Sequence, residues 1–451
     1  MNLMRIEKDA IGSIPIDEQR YYGIHSHRAK ENFDISGNKV DFLLIKQLAR
    51  IKAAAAVANE KSGGLSIKKV RAICLAAQEI IDGKWQEEFL LDAFQGGAGT
   101  STNMNVNEVI ANRGLEIMGY TKGDYEHLHP LDDVNRGQST NDVYPSAGRL
   151  TTILYLEKLE IAVEQLMIEL QIKAQAYVST PKMGRTQLQE AVPTTFGAGF
   201  AAYASNLARC KERIQAVSKE MQQLNLGGTA IGNGLNANPV YQTAIYQELN
   251  QHYSVDLRPA DNLIDATQNA DAFAAVSGVL KTVAISLTKI SHDLRLLSSG
   301  PRSGFRELNL APRQAGSSIM PGKVNPVIPE VVSQIAFQVV GNDAAISLAA
   351  ASGELELNAF EPVIFHNLFE SCQILTQACS TLATKCIADL TVNAEKAAKD
   401  VEQSTGVVTE LAPLLGYEVA CQLVKEALAE NVTIDEMLYR KNLSHLLEKQ
   451  A

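Results

Sequence analysis

Thr151-Thr152-Ile153-Leu154-Tyr155-Leu156-Glu157-Lys158-Leu159-Glu160-Ile161-Ala162-Val163-Glu164-Gln165-Leu166-Met167-Ile168-Glu169-Leu170-Gln171-Ile172-Lys173-Ala174-Gln175-Ala176-Tyr177 contains no proline and repeats its apolar side chains at helical spacing. Leu156, Leu159, Val163, Leu166, Leu170, Ala174 and Tyr177 step by three and four, which lines one face of a helix. A second set, Ile153, Ile161, Met167, Ile168 and Ile172, lies off that stripe. A helix apolar on more than one face must be covered on more than one side. The stretch therefore predicts a long helix in a bundle that is itself packed against other subunits.

The same pattern extends in both directions. No proline occurs between Pro145 and Pro181, Pro193 and Pro239, Pro259 and Pro301, Pro329 and Pro362, or Pro362 and Pro413. Each gap permits a helix of about 30 residues, roughly 45 Å long. Strand-like alternation is scarce and no β-α-β rhythm appears, so the expected class is all-α. Three segments are expected. Residues 1–137 hold shorter helices and loops, 138–395 the long blocks, and 396–451 a small helical domain with a helix start at Thr433 before Asp435 and Glu436.

The 451 residues include 41 basic and 51 acidic side chains, a net charge of −10, which argues against a nucleic-acid partner. With 46% hydrophobic and 20% charged residues the chain can bury a large core and is not disordered. Six cysteines are too few for a disulfide scaffold. Cys372, Cys379 and Cys386 recur every seven residues and read as a buried helical stripe. Charges interrupt the N-terminus before any apolar run of signal length. The longest uncharged stretch near membrane-span length, Ala191–Ala208, contains Pro193 and many small residues, and reads as close-packed helix. A soluble, cytoplasmic chain with no membrane partner is expected.

Polar, small-residue segments interrupt the helices at four places. They are Gly96-Gly97-Ala98-Gly99-Thr100-Ser101-Thr102-Asn103-Met104-Asn105, Gly137-Gln138-Ser139-Thr140-Asn141-Asp142, Gly184-Arg185-Thr186-Gln187-Leu188-Gln189, and Gly316-Ser317-Ser318-Ile319-Met320-Pro321-Gly322-Lys323-Val324-Asn325-Pro326, with Glu330 following. Glycine lets a ligand approach the backbone, while Ser, Thr, Asn and Gln supply hydrogen bonds. This inventory suits carboxylates held by neutral donors and one cation. It does not suit phosphate, since neither phosphate-binding glycine motif is present.

The fourth segment resembles the signature of the aspartase/fumarase superfamily, G-S-S-x-M-P-x-K-x-N-P-x-x-x-E, at all nine fixed positions. At about 5% usage per residue, a chance match has a probability on the order of 10⁻⁹. The other three segments are similar to the same superfamily, in the same order, across essentially the whole chain. The resemblance implies a central bundle of long helices, a homotetramer, and active sites assembled from three subunits. Within the superfamily, G-G-A-G-T-S at 96–101 and Q-S-T-N-D-V-Y-P at 138–145 resemble the aspartase branch. Fumarases usually carry histidine at the position of Gln187, whereas aspartases carry either residue.

The implied reaction is reversible deamination of L-aspartate to fumarate and ammonia, without an organic cofactor; activation by a divalent cation is not readable from the sequence. By resemblance, Ser317 is the base that takes the C3 proton. Thr100, Ser139, Thr140 and the Ser318 backbone stabilise the doubly charged aci-carboxylate. Lys323, Asn325 and Thr186 hold the α-carboxylate, Asn141 and Gln187 face the ammonium, and Glu330 supports. Helix capping competes with the binding role for Thr100, Ser139, Thr140 and Thr186, and a structural hydrogen bond competes for Gln187. His25-x-His27 and His127-x-His129 have no third ligand nearby in sequence, so no metal site is expected. The alternatives are a fumarate hydratase of the same superfamily and a non-catalytic structural protein with this fold. A departure from the family lies at Val407-Val408-Thr409-Glu410, where an Asn-Pro would ordinarily follow the threonine.

Overall fold

In the computed structural model, residues 3–444 are described. Helices dominate, as periodicity predicts. In chain order they are α1 (Ile24–Asn32), α2 (Phe42–Lys61), α3 (Ile67–Ile81), α4 (Thr100–Ile117), α5 (Thr140–Ala176), α6 (Phe196–Glu220), α7 (Pro239–Leu249), α8 (Leu263–Gln268) and α9 (Asp271–Leu297). They continue with α10 (Val327–Ala351), α11 (Glu361–Leu382), α12 (Ala394–Gln403), α13 (Val408–Leu415), α14 (Tyr417–Glu430) and α15 (Ile434–Arg440). The five proline-free gaps hold the long helices α5, α6, α9, α10 and α11; α5, α10 and α11 run through a flanking proline, α6 starts three residues after one, and α9 ends four residues before Pro301.

Two antiparallel hairpins interrupt this pattern, β1 (Met4–Lys8) with β2 (Ser13–Asp17) and β3 (Pro181–Thr186) with β4 (Gln189–Thr195). Sequence periodicity misses both because their strands are only five to seven residues long. The second corrects the reading of Ala191–Ala208: its first five residues finish β4, and α6 starts only at Phe196.

The chain divides into two compact units. One takes Met1–Glu160, Glu212–Thr282 and Gln338–Leu375; the other takes Ile161–Lys211, Val283–Phe337 and Thr376–Ala451. Leu156, Leu159, Val163, Leu166 and Leu170 on α5 are all 0% exposed. The off-stripe Ile161, Ile168 and Ile172 are 67%, 46% and 54% exposed in the single chain. Helices α9 and α10 are long and apolar enough to cross a membrane, but α9 buries Phe273, Val276, Leu280, Val283, Leu287 and Leu294 at core-helix spacing. Cys372, Cys379 and Cys386 are buried free thiols, the stripe the seven-residue spacing predicts. In the C-terminal segment, Val408, Leu411, Leu423, Ile434, Met437 and Leu438 form a local core, and Thr433 caps α15 by accepting Glu436 N–H at 3.2 Å.

Pro145 lies inside α5. Its missing N–H would have bonded the Asn141 carbonyl. The Asn225 side chain donates to that carbonyl at 2.9 Å instead, so the helix continues without an orphaned acceptor.

Candidate active site

In the first unit, α4 and α5 both begin at predicted segments. Gly97, Ala98 and Gly99 have φ of 88°, 53° and 84°, which turns the chain into α4 at Thr100. A Cβ on Gly99 would overlap the Tyr144 ring, so glycine is required where the two segments touch. Thr100 is exposed and makes no side-chain capping bond. One turn on, Asn103 is buried, and its Nδ2 donates to Thr140 Oγ1 at 3.0 Å.

Ser139 forms a capping box with Asp142. Its hydroxyl accepts Asn141 N–H at 3.2 Å, and Asp142 Oδ1 accepts Ser139 N–H at 2.9 Å. The capping alternative is therefore real for Ser139, yet it uses the oxygen as acceptor and leaves the hydrogen to donate. Asn141 Nδ2 donates to Ala230 O at 2.7 Å, which leaves the carbonyl oxygen of its amide as an acceptor suited to ammonium. Asp142 Oδ2 accepts the N–H groups of Gly227 and Thr229 at 3.0 and 3.1 Å. Desolvation pushes its carboxyl up to about 6 against those hydrogen bonds.

In the second unit, Thr186 closes β3, and Gln187 and Leu188 form the two-residue hairpin turn at φ 54° and 65°. Thr186 and Gln187 are both exposed. The buried Glu307 pairs with two residues along β3, Arg185 at 2.6 Å and Lys182 at 3.7 Å.

The loop before α10 is tied at its neck. Asn325 Nδ2 donates to Gly316 O at 3.0 Å, and a Cβ on Gly316 would overlap the Lys323 carbonyl. Ser317 Oγ accepts the N–H groups of Ile319 and Met320 at 3.2 and 3.0 Å. Two aligned amide donors stabilise negative charge on that oxygen. Ser318 and Lys323 are exposed, and Glu330 sits half-buried in the first turn of α10.

The structure thus joins the start of α4 to the start of α5, through Asn103 on Thr140 and Gly99 against Tyr144, and gathers Ser317, Ser318, Lys323 and Asn325 into one tied loop. Thr186 and Gln187 stand on a separate hairpin. The histidine pairs serve locally: His129 Nδ1 accepts the N–H groups of Leu131 and Asp132 at 3.1 Å each, and His127 stacks on Tyr120. Sequence reasoning missed Lys52, Asn135 and Asn225. Lys52 carried a readable signal, a single charge inside Ile51-Lys52-Ala53-Ala54-Ala55-Ala56.

A family model described as lyase matches residues 12–341. The chain is 48% identical to the aspartate ammonia-lyase of Helicobacter pylori over 98% of its own length and 94% of that protein's. The chain belongs to the aspartase/fumarase superfamily of lyases. Aspartate ammonia-lyase of Bacillus subtilis is 46% identical over 96% of the chain and 91% of that protein. Among solved superfamily members, the cobalt-bound fumarate lyase:delta crystallin of Brucella melitensis superposes with a TM-score of 0.96 at 45% identity, covering 98% and 97% of the two chains. The class II fumarase of Schistosoma mansoni follows at 0.95 and 35% identity, covering 99% and 98%. These superfamily likenesses agree with the helical fold read from periodicity.

Proposed function

We propose that the chain is an aspartate ammonia-lyase, converting L-aspartate reversibly to fumarate and ammonia. The carrying observation is the Ser317 hydroxyl, held in a glycine-bracketed loop by two backbone amides, in a chain 48% identical to an aspartate ammonia-lyase over nearly its whole length. Ser317, as alkoxide, takes the C3 proton. The C–H electron pair moves into the β-carboxylate, giving the aci-carboxylate dianion. Thr100, Ser139, Thr140 and the Ser318 backbone donate to it, and each such donor is worth about 3–4 kcal/mol in the transition state. Lys323, Asn325 and Thr186 fix the α-carboxylate, and Asn141 and Gln187 accept from the ammonium. The electron pair then forms the C2–C3 double bond as the C–N bond breaks and ammonia leaves. Glu330 supports the loop from the start of α10.

The reading includes a homotetramer with shared sites, a cytoplasmic location, and organisation into 1–137, 138–395 and 396–451. Exposed apolar side chains on the long helices support assembly, including Ile161 and Ile172 on α5 and Phe337 and Leu348 on α10. No organic cofactor enters the reaction, and activation by a divalent cation belongs to the same tests. Supplying fumarate with and without ammonium decides the activity. Aspartate formation dependent on ammonium is expected, and malate formation outpacing it would favour fumarate hydratase. Absence of turnover on any dicarboxylate would favour the structural protein.

A further inference from the structure

Lys52, in the middle of α2, is 0% exposed. A buried lysine must find acceptors inside the fold. Its Nζ donates to Asn135 Oδ1 at 2.7 Å and to Gln138 Oε1 at 2.8 Å, both in the turn that leads into Ser139 and Thr140. Asn135 Oδ1 also accepts from Asn103 Nδ2 at 3.2 Å, and the other hydrogen of that amide goes to Thr140 Oγ1 at 3.0 Å. Gln138 Nε2 in turn donates to Arg136 O at 3.2 Å, a carbonyl that also accepts Asn59 Nδ2 at 2.9 Å, so the turn before Ser139 is tied to α2 twice. Lys52 orients both Gln138 and Asn135. Through Asn135 and Asn103 it fixes the donor that the Thr140 oxygen accepts, and that oxygen's own hydrogen is left to donate.

We propose that Lys52 is a positioning residue for the substrate: by fixing Asn135 it holds the Asn103 amide on the Thr140 oxygen, and so keeps the Thr140 hydroxyl hydrogen free for a ligand carboxylate. The proposal rests on the aspartate ammonia-lyase reading. Burial pushes the Lys52 ammonium down to about 7, with Asp142 as the titratable group facing it. A dicarboxylate arriving at Thr140 adds negative charge on that side and favours the ammonium form.

The test compares Lys52→Met with the wild type on L-aspartate, with succinate as a non-reactive probe. The kcat should fall ten- to hundredfold, while succinate affinity weakens only three- to tenfold and the far-UV spectrum is unchanged. In a Thr140→Ala background, Lys52→Met should cost less than a further threefold, because both changes remove one donor; a merely structural lysine would multiply its effect. Asn103→Ala keeps the lysine and breaks the link, so it should lose kcat within threefold of Lys52→Met. Retention of more than half of kcat by Lys52→Met overturns the proposal, as does multiplication of effects in the double variant. If Lys52→Met fails to fold, an Asn103→Ala kcat within twofold of wild type overturns it. A wild type inactive on L-aspartate fails the functional reading instead, and the succinate arm then decides for Lys52: unchanged affinity, or no binding by either protein, overturns the proposal.

Discussion

Ser317→Ala removes the oxygen that accepts two backbone amides, at 3.2 and 3.0 Å. A hydrogen bond to a charged acceptor contributes about 1.5–3 kcal/mol. The neutral hydroxyl accepts the same amides at about 0.5–1.5 kcal/mol each, so the pair favours alkoxide over hydroxyl by roughly 2–3 kcal/mol, which raises the alkoxide population about thirty- to two-hundredfold at 1.36 kcal/mol per decade. That stabilisation makes the alkoxide accessible as a general base, whose usual contribution is about 10²–10⁴ in rate. The predicted loss in kcat is accordingly 10²–10⁴-fold, roughly 3–5 kcal/mol in the barrier. The donors are in an exposed loop, so water can satisfy them in the variant, and thermal stability should move little. Fumarate absorbance under saturating L-aspartate measures kcat, and competition by succinate measures binding, which should stay within threefold. If the variant kept more than a tenth of wild-type kcat, Ser317 would not be the base, and another group would have to take the C3 proton.

Lys323→Ala should raise KM and lower kcat together, at least tenfold each, because one ammonium serves both the α-carboxylate and the alkoxide. Lys323→Arg should not restore either parameter at this tight neck, where Gly316 lies against the Lys323 carbonyl. Mixing the inactive variants Thr140→Ala and Ser317→Ala should restore part of the activity through hybrid sites, whereas a fully active monomer in sedimentation would refute shared sites. The Lys52 amine, held at about 7 against an ordinary 10.5, contributes stability that is complete above 10.5 and lost as pH falls through about 7. Urea unfolding between pH 7 and 9.5 should therefore show the wild type gaining on Lys52→Met by about 1.4 kcal/mol per pH unit; parallel curves would count against that assignment.

The long helices were legible because proline spacing and three-four periodicity are local properties, and α5 obeys both. The hairpin carrying Thr186 and Gln187 was not, since short strands leave little periodicity and their pairing is a tertiary fact. The motif segments and the roles they imply came through resemblance, but the local hydrogen bonds of their residues did not. Nothing in the order Ser139-Thr140-Asn141-Asp142 says that Asp142 caps Ser139 while bonding the amides of Gly227 and Thr229, more than eighty residues away. Lys52 and Asn225 escaped for the same reason. A buried polar side chain is understood only when its partner is known, and Asn225 supports Asn141 across 84 positions.

Thr100 opens α4 and Thr140 opens α5, so two of the predicted carboxylate contacts coincide with the start of a helix. The aligned peptide dipoles place about half a positive charge at each such end. A chain of net charge −10 can thus receive a dianion with a single lysine among its contacts. Unlike a cluster of ammonium groups, peptide dipoles do not titrate. The attraction they supply stays constant across the pH range in which the reaction itself must switch a proton on and off.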